Sequence, residues 1–227
     1  MVRFSPILIA LALGFAMYWF SAYRTKRELD QNSEPLEDQA IGALTGKLAK
    51  VLELPHVPVN VYKIDVVNGL AAPDGRVFIT RGFLNKYKLG EVTAEEIVSV
   101  IAHELGHVAL GHSRKRMIVF TGQNAVRTML AMVLGRFIPF FGVYIANFIT
   151  QLLTARISRD DEYEADAYAS ALLTKAGIGV APQITLFEKL EAMAPKGQSF
   201  AWLMSHPKAD ERIAAIEKLA NGWDQPA

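Results

Sequence analysis

Residues 102 to 112 read AHELGHVALGH and hold three of the five histidines in this 227-residue chain. His103 and His107 are four positions apart, which on a helix places them about 40° apart on one face. Glu104 lies between them in sequence. Two imidazoles at this spacing can grip a zinc ion, and a glutamate beside the first can take a proton from a water that the ion acidifies. His112 comes nine positions after His103, half a turn round an unbroken helix. It is therefore expected to face away and to close the helix near Gly111. Ser113 stands where a third histidine six positions after the second would be needed. Cysteine is absent, so any further ligand must be His, Asp or Glu.

A catalytic zinc takes three protein ligands and keeps one position open. The third is sought in SRDDEYEADAYASALL, residues 158 to 173. On a helix, Glu162, Asp166, Ala169 and Leu173 share one face; Glu164, Tyr168, Ala171 and Lys175 share another. The first face ends in small and apolar residues and should pack inward. The second ends in lysine and should be wet. Buried carboxylates need partners, and a metal with its histidines supplies them. Glu162 is thus the expected third ligand, with Asp166 behind it holding an imidazole in the right tautomer. Asp160, Asp161 and Glu164 read as solvated.

These residues must be carried by elements far apart in sequence. Thr93-x-x-Glu96 is a capping box, so a helix should open at Thr93, with Glu95 and Glu96 at its positive end, and run to about Gly111. A helix over 158 to 176 should close at Gly177. Apolar spacing predicts others over about 36–54, 181–194 and 207–220, the last with Pro207 in its first turn. VPVNVYKIDVV and VFIT read as strands, and PDGR between them as a turn. The expected fold is α+β: a mostly helical domain over 31–227 with a small antiparallel β-meander, preceded over 1–30 by an N-terminal anchor and the start of the polar linker RTKRELDQNSEPLED.

The anchor follows from FSPILIALALGFAMYWFSAY, twenty uncharged residues between Arg3 and Arg24. As a helix they reach roughly 30 Å, the thickness of a hydrocarbon core. Tyr18, Trp19 and Tyr23 suit an interfacial aromatic belt. No cleavage site follows, so a retained transmembrane helix is expected rather than a signal peptide. Arg24, Lys26 and Arg27 outweigh Arg3 and lean toward a cytoplasmic catalytic side. The hydrophobic fraction of 51% and mean hydropathy of +0.18 agree with lipid contact. A net charge of +1 gives no reason to expect nucleic acid as a partner. A second greasy stretch, residues 129–153, cannot cross once, because His107 and Glu162 would then lie on opposite sides of the bilayer. It is expected to be buried or interfacial, a lid with bends at Gly135, Pro139 and Gly142.

His103-Glu104-x-x-His107 followed by Glu162-x-x-x-Asp166 resembles the HtpX and CAAX prenyl protease group of membrane-associated zinc endopeptidases, within the gluzincins. The likeness runs from about residue 36 to the C-terminus. It implies a zincin-like domain holding one Zn2+ per chain and hydrolysing peptide bonds, with Glu104 as general base. SHPKADERI adds to it: by resemblance, His206 and Arg212 would face the cleft and help hold substrate or the developing oxyanion. VNGLAAP resembles the group's edge strand, on which Asn68 would meet extended peptide. The chain has too few apolar segments for the multi-span prenyl proteases and looks closer to the single-anchor quality-control members. Misfolded or membrane-associated polypeptides are then the implied substrates, and the bacterial inner membrane the implied location. Two rivals remain: a chaperone-like membrane quality-control module with a structural zinc, and a metal-free helical scaffold.

Overall fold

In the computed structural model, residues 5–72, 74–112, 141–193 and 209–223 are described, with scattered positions between 115 and 138. The elements in order are α1 (Ser5–Asn32), β1 (Ser33–Pro35), α2 (Gln39–Val51), β2 (Val59–Tyr62), β3 (Gly69–Ala71), β4 (Val77–Thr80), α3 (Arg81–Lys88) and α4 (Ala94–Ala109). After these come α5 (Gly142–Lys175), α6 (Ala181–Met193) and α7 (Ala209–Trp223). Mostly helical architecture with one small sheet is as expected.

Helix starts follow local chemistry. The Asp38 carboxylate accepts from the Ile41 amide to open α2, and Thr80 does the same for Phe83 at α3. At α4 both halves of the Thr93–Glu96 capping box form, which satisfies two amides that would otherwise lack an acceptor. Gly111, at φ +67°, turns the chain sharply after α4, a conformation glycine adopts without cost.

The sheet departs from an antiparallel meander. Its order is β1-β2-β4-β3, and β2 and β4 are parallel. The β3–β4 hairpin forms around the 72–76 turn, but the run read as one strand over 57–67 stops at Tyr62. The Thr80 hydroxyl helps to pin the connection between β2 and β3. It donates to the Val66 carbonyl at 2.5 Å and accepts from the Asn68 amide at 2.9 Å, holding this connection beyond β4. That leaves β3 as an edge strand, as VNGLAAP was expected to be. At the other edge, the supposed linker supplies β1, paired antiparallel with β2. Its short SEP sequence, with Pro35, suits an edge.

Helix α4 is the centre of the core. Ile97, Val98, Ile101 and Ala102 are completely buried, packed on α2, the sheet, α5 and α6. The expected helix over 158–176 is the second half of the 34-residue α5. Its first half takes up part of the greasy 129–153 stretch. There Phe137, Phe141, Tyr144, Phe148 and Leu152 are exposed, so these side chains are not the buried core that one reading expected. Helix α1 covers the expected anchor, but among the described residues no helix is long and apolar enough to cross a membrane.

Candidate metal centre

The C-terminal half of α4 carries His103, Glu104 and His107, all buried. Helix α5 crosses α4 at Gly106. A Cβ there would stand 3.0 Å from the Ala165 carbonyl oxygen and 3.1 Å from its Cα. Glycine is what lets the two backbones approach this closely, and the approach brings Glu162 over the imidazole pair. The two Nε2 atoms are 3.1 Å apart. Glu162 Oε2 is 3.4 Å from Nε2 of His103, and Oε1 is 3.4 Å from Nε2 of His107. Donors bound tetrahedrally to zinc at about 2.0–2.1 Å would be separated by about 3.3–3.4 Å. The spacing and the N, N, O donor set therefore fit a divalent metal. Asn68 lies just before β3, with its side-chain oxygen accepting from the Gly69 amide at 3.0 Å.

Behind His103 is an ionic support. Its Nδ1 is 2.9 Å from Asp166 Oδ1, so Nε2 is the nitrogen turned to the shared point. The Arg212 guanidinium forks Asp166 through Nε at 2.6 Å and Nη2 at 2.7 Å, and Nη1 is 3.6 Å from Glu162. It also stacks 4.6 Å over the Phe187 ring. Arg212 was expected to face the cleft. It is instead 1% exposed and turned to these carboxylates. Burial pulls the His103 pKa down, but its bonds to Asp166 and Glu162 carry it up to about 9. Burial pushes Asp166 up, and Arg212 and His103 more than offset this, holding it below the usual carboxylate range.

Behind His107 the support is of another kind. Its Nδ1 is 2.7 Å from Nδ1 of His112, and Nε2 of His112 is 3.1 Å from Glu164 Oε2. His112 was expected to face away. It does not, because the turn at Gly111 ends α4 before the continuous-helix geometry can apply, and the ring swings back under His107. Asp161 was read as solvated. It is buried, with Lys115 Nζ 2.5 Å from its Oδ1. Glu164 is 55% exposed at its side chain, wet as expected yet bonded to His112. His206 and Pro207 lie outside the described residues.

A family model, Peptidase family M48, matches residues 35–220. The chain belongs to peptidase family M48. Metalloprotease LoiP of Escherichia coli is 32% identical over 222 residues, covering 92% of this chain and 86% of that protein. Metalloprotease YcaL of the same organism is 31% identical, covering 86% and 77%. A protease HtpX homolog of Salinibacter ruber is 26% identical, covering 94% and 86%. As a member of M48 the chain is a metalloendopeptidase acting on polypeptides, in line with the resemblance read from its motifs. Three residues of this M48 chain escaped the sequence reading: Gly69, Gly106 and Gln183. Gln183 donates to Asp166 Oδ1 at 3.3 Å. Gly106, between the two histidines on the inward face, was the legible one, since a glycine inside a helix usually marks a close approach.

Proposed function

We propose that this chain is a membrane-anchored, zinc-dependent metalloendopeptidase of protein quality control, holding one zinc through His103, His107 and Glu162. The observation that carries the reading is the convergence of the two Nε2 atoms and the Glu162 carboxylate within 3.1–3.4 Å, with Glu104 on the same helix. When bound, the metal supplies a charge that acidifies a water and polarises the scissile carbonyl. Glu104 accepts the proton of the attacking water and delivers it to the departing amide nitrogen. Arg212 and Asp166 fix the His103 ring. His206 is assigned to hold the developing oxyanion, a role that rests on its match to the family's motif.

Edge strand β3 is assigned to the substrate, paired as an added strand with Asn68 at its start. A Cβ on Gly69 would stand 2.5 Å from Val100 Cγ1 and 3.6 Å from Glu104 Oε1. Glycine thus lets this edge lie against the segment of α4 that carries the base. Membrane attachment is supported by the uncharged run before Arg24 and by the exposed Phe15, Trp19, Phe20 and Tyr23. The exposed aromatics of 137–148 are assigned to the same lipid interface. The catalytic side follows the basic flank and is assigned to the cytoplasm.

The test compares purified Glu104→Gln with wild type. Glu104→Gln keeps its zinc and loses peptide hydrolysis, while His103→Ala loses both. Hydrolysis persisting in Glu104→Gln at wild-type rate removes Glu104 from the role of base. A wild-type protein that takes up no zinc overturns the metal reading.

A further inference from the structure

His112, Asp161 and Glu164 form a second group whose nitrogen and oxygens could hold a metal. The hydrogen-bond directions argue for a different use. A carboxylate only accepts hydrogen bonds, so Glu164 Oε2, 3.1 Å from His112 Nε2, takes a hydrogen from that nitrogen. A neutral His112 ring then has a bare Nδ1. The 2.7 Å contact between the two Nδ1 atoms must hold one hydrogen, so His107 Nδ1 supplies it. That leaves His107 Nε2 with its lone pair, and Nε2 is the atom turned to His103 and Glu162. The hydrogen bonds all point one way, from His107 through His112 to a half-exposed carboxylate.

We propose that His112 is a positioning residue that locks His107 in its Nδ1–H tautomer and so presents Nε2 to the metal. The proposal rests on the metal reading above. It also assigns the second group a role. A metal on His112 Nε2 would require its hydrogen on Nδ1, pointed at His107 Nδ1. His107 would then carry its own hydrogen on Nε2 and could not be a ligand. With neutral rings the two groups exclude one another, so one metal per chain is expected, held at His103, His107 and Glu162. Lys115, 2.5 Å from Asp161, already supplies a cation to the second group.

Two substitutions separate the tautomer role from mere packing. Asn places an amide oxygen near the position of an imidazole Nδ1 and can accept from His107; Leu fills similar space and cannot. Zinc affinity is measured by competition with a chromophoric chelator, using the full-length chain carrying Glu104→Gln to stop self-cleavage. His112→Leu is expected to bind zinc about 10–100-fold more weakly, and His112→Asn to stay within about threefold of the parent. Equal affinities in the two variants overturn the proposal. The second measurement needs no variant at position 112: nitrogen-15 NMR of the imidazoles in the metal-free chain. His107 is expected as the Nδ1–H tautomer, and Nε2–H there overturns the proposal even if both substitutions prevent folding. Failure of the parent protein to bind zinc would count against the metal reading itself, and the NMR result would still decide the tautomer.

Discussion

His103 and His107 sit one helical turn apart and aim the same nitrogen at the same point, yet they are held by unlike means. His103 leans on a fully buried Asp166–Arg212 pair contributed by α5 and α7. His107 leans on a second imidazole that ends at a half-exposed carboxylate. The first support is ionic and dry. Its two charges justify each other, and removing either strands the other in the core. The second is a line of hydrogen bonds whose outer end water can reach. One motif on one helix therefore has a support that also holds the fold and a support that serves chiefly to orient a ring.

The contrast predicts an order of costs. Arg212→Met leaves Asp166 buried without its fork, and the metal-free protein should lose about 3–5 kcal/mol, read as a large drop in thermal midpoint. His112→Leu removes one acceptor and leaves the His107 Nδ1–H buried without it, which costs about 1–3 kcal/mol. If His112→Leu proved the more damaging to folding, the division between a structural and an orienting support would be wrong. Gly106→Ala strikes both sides together. Its Cβ meets backbone rather than a movable side chain, so α4 and α5 must part by a few tenths of an ångström. The expected cost is about 1–3 kcal/mol, with weaker zinc binding because Glu162 moves away from both rings. Unchanged zinc affinity in folded Gly106→Ala would show that the close crossing does not set the ligand spacing.

What could be read from sequence follows the same division. The His103–Glu104–His107 spacing is local, and a capped helix converts it directly into geometry. Glu162 and Asp166 were legible because one face of α5 ends in Ala169 and Leu173, which announces which carboxylates go inward. Continuous-helix spacing turns His112 away from the site, but α4 does not continue through Gly111, where a positive φ breaks the helix. Asp161 was misread because its partner Lys115 comes from a segment 46 residues earlier, and pairing at that range leaves no periodic trace. The sheet was misjudged for a similar reason. Strand pattern shows which residues are extended, but neighbours are set by tertiary contacts such as those of Thr80 with Val66 and Asn68, which leave no periodic trace.

The smallest effect separates the two supports by counting protons. In the metal-free protein His103 keeps its proton up to about pH 9, above its ordinary value of 6.5. That raised value stabilises the metal-free fold fully below pH 6.5 and ceases to do so as pH rises through 9. Zinc needs the bare Nε2 and must expel that proton. The tautomer assigned to His107 already presents a bare nitrogen and expels none. Between pH 7 and 8.5, zinc binding should release about one proton, and apparent affinity should rise about tenfold per pH unit. Calorimetry in buffers of different ionisation enthalpy reads the count directly. Release of two protons beyond any shed by metal-bound water would mean that both rings are cationic before the metal arrives, and the two supports would then be electrostatically alike.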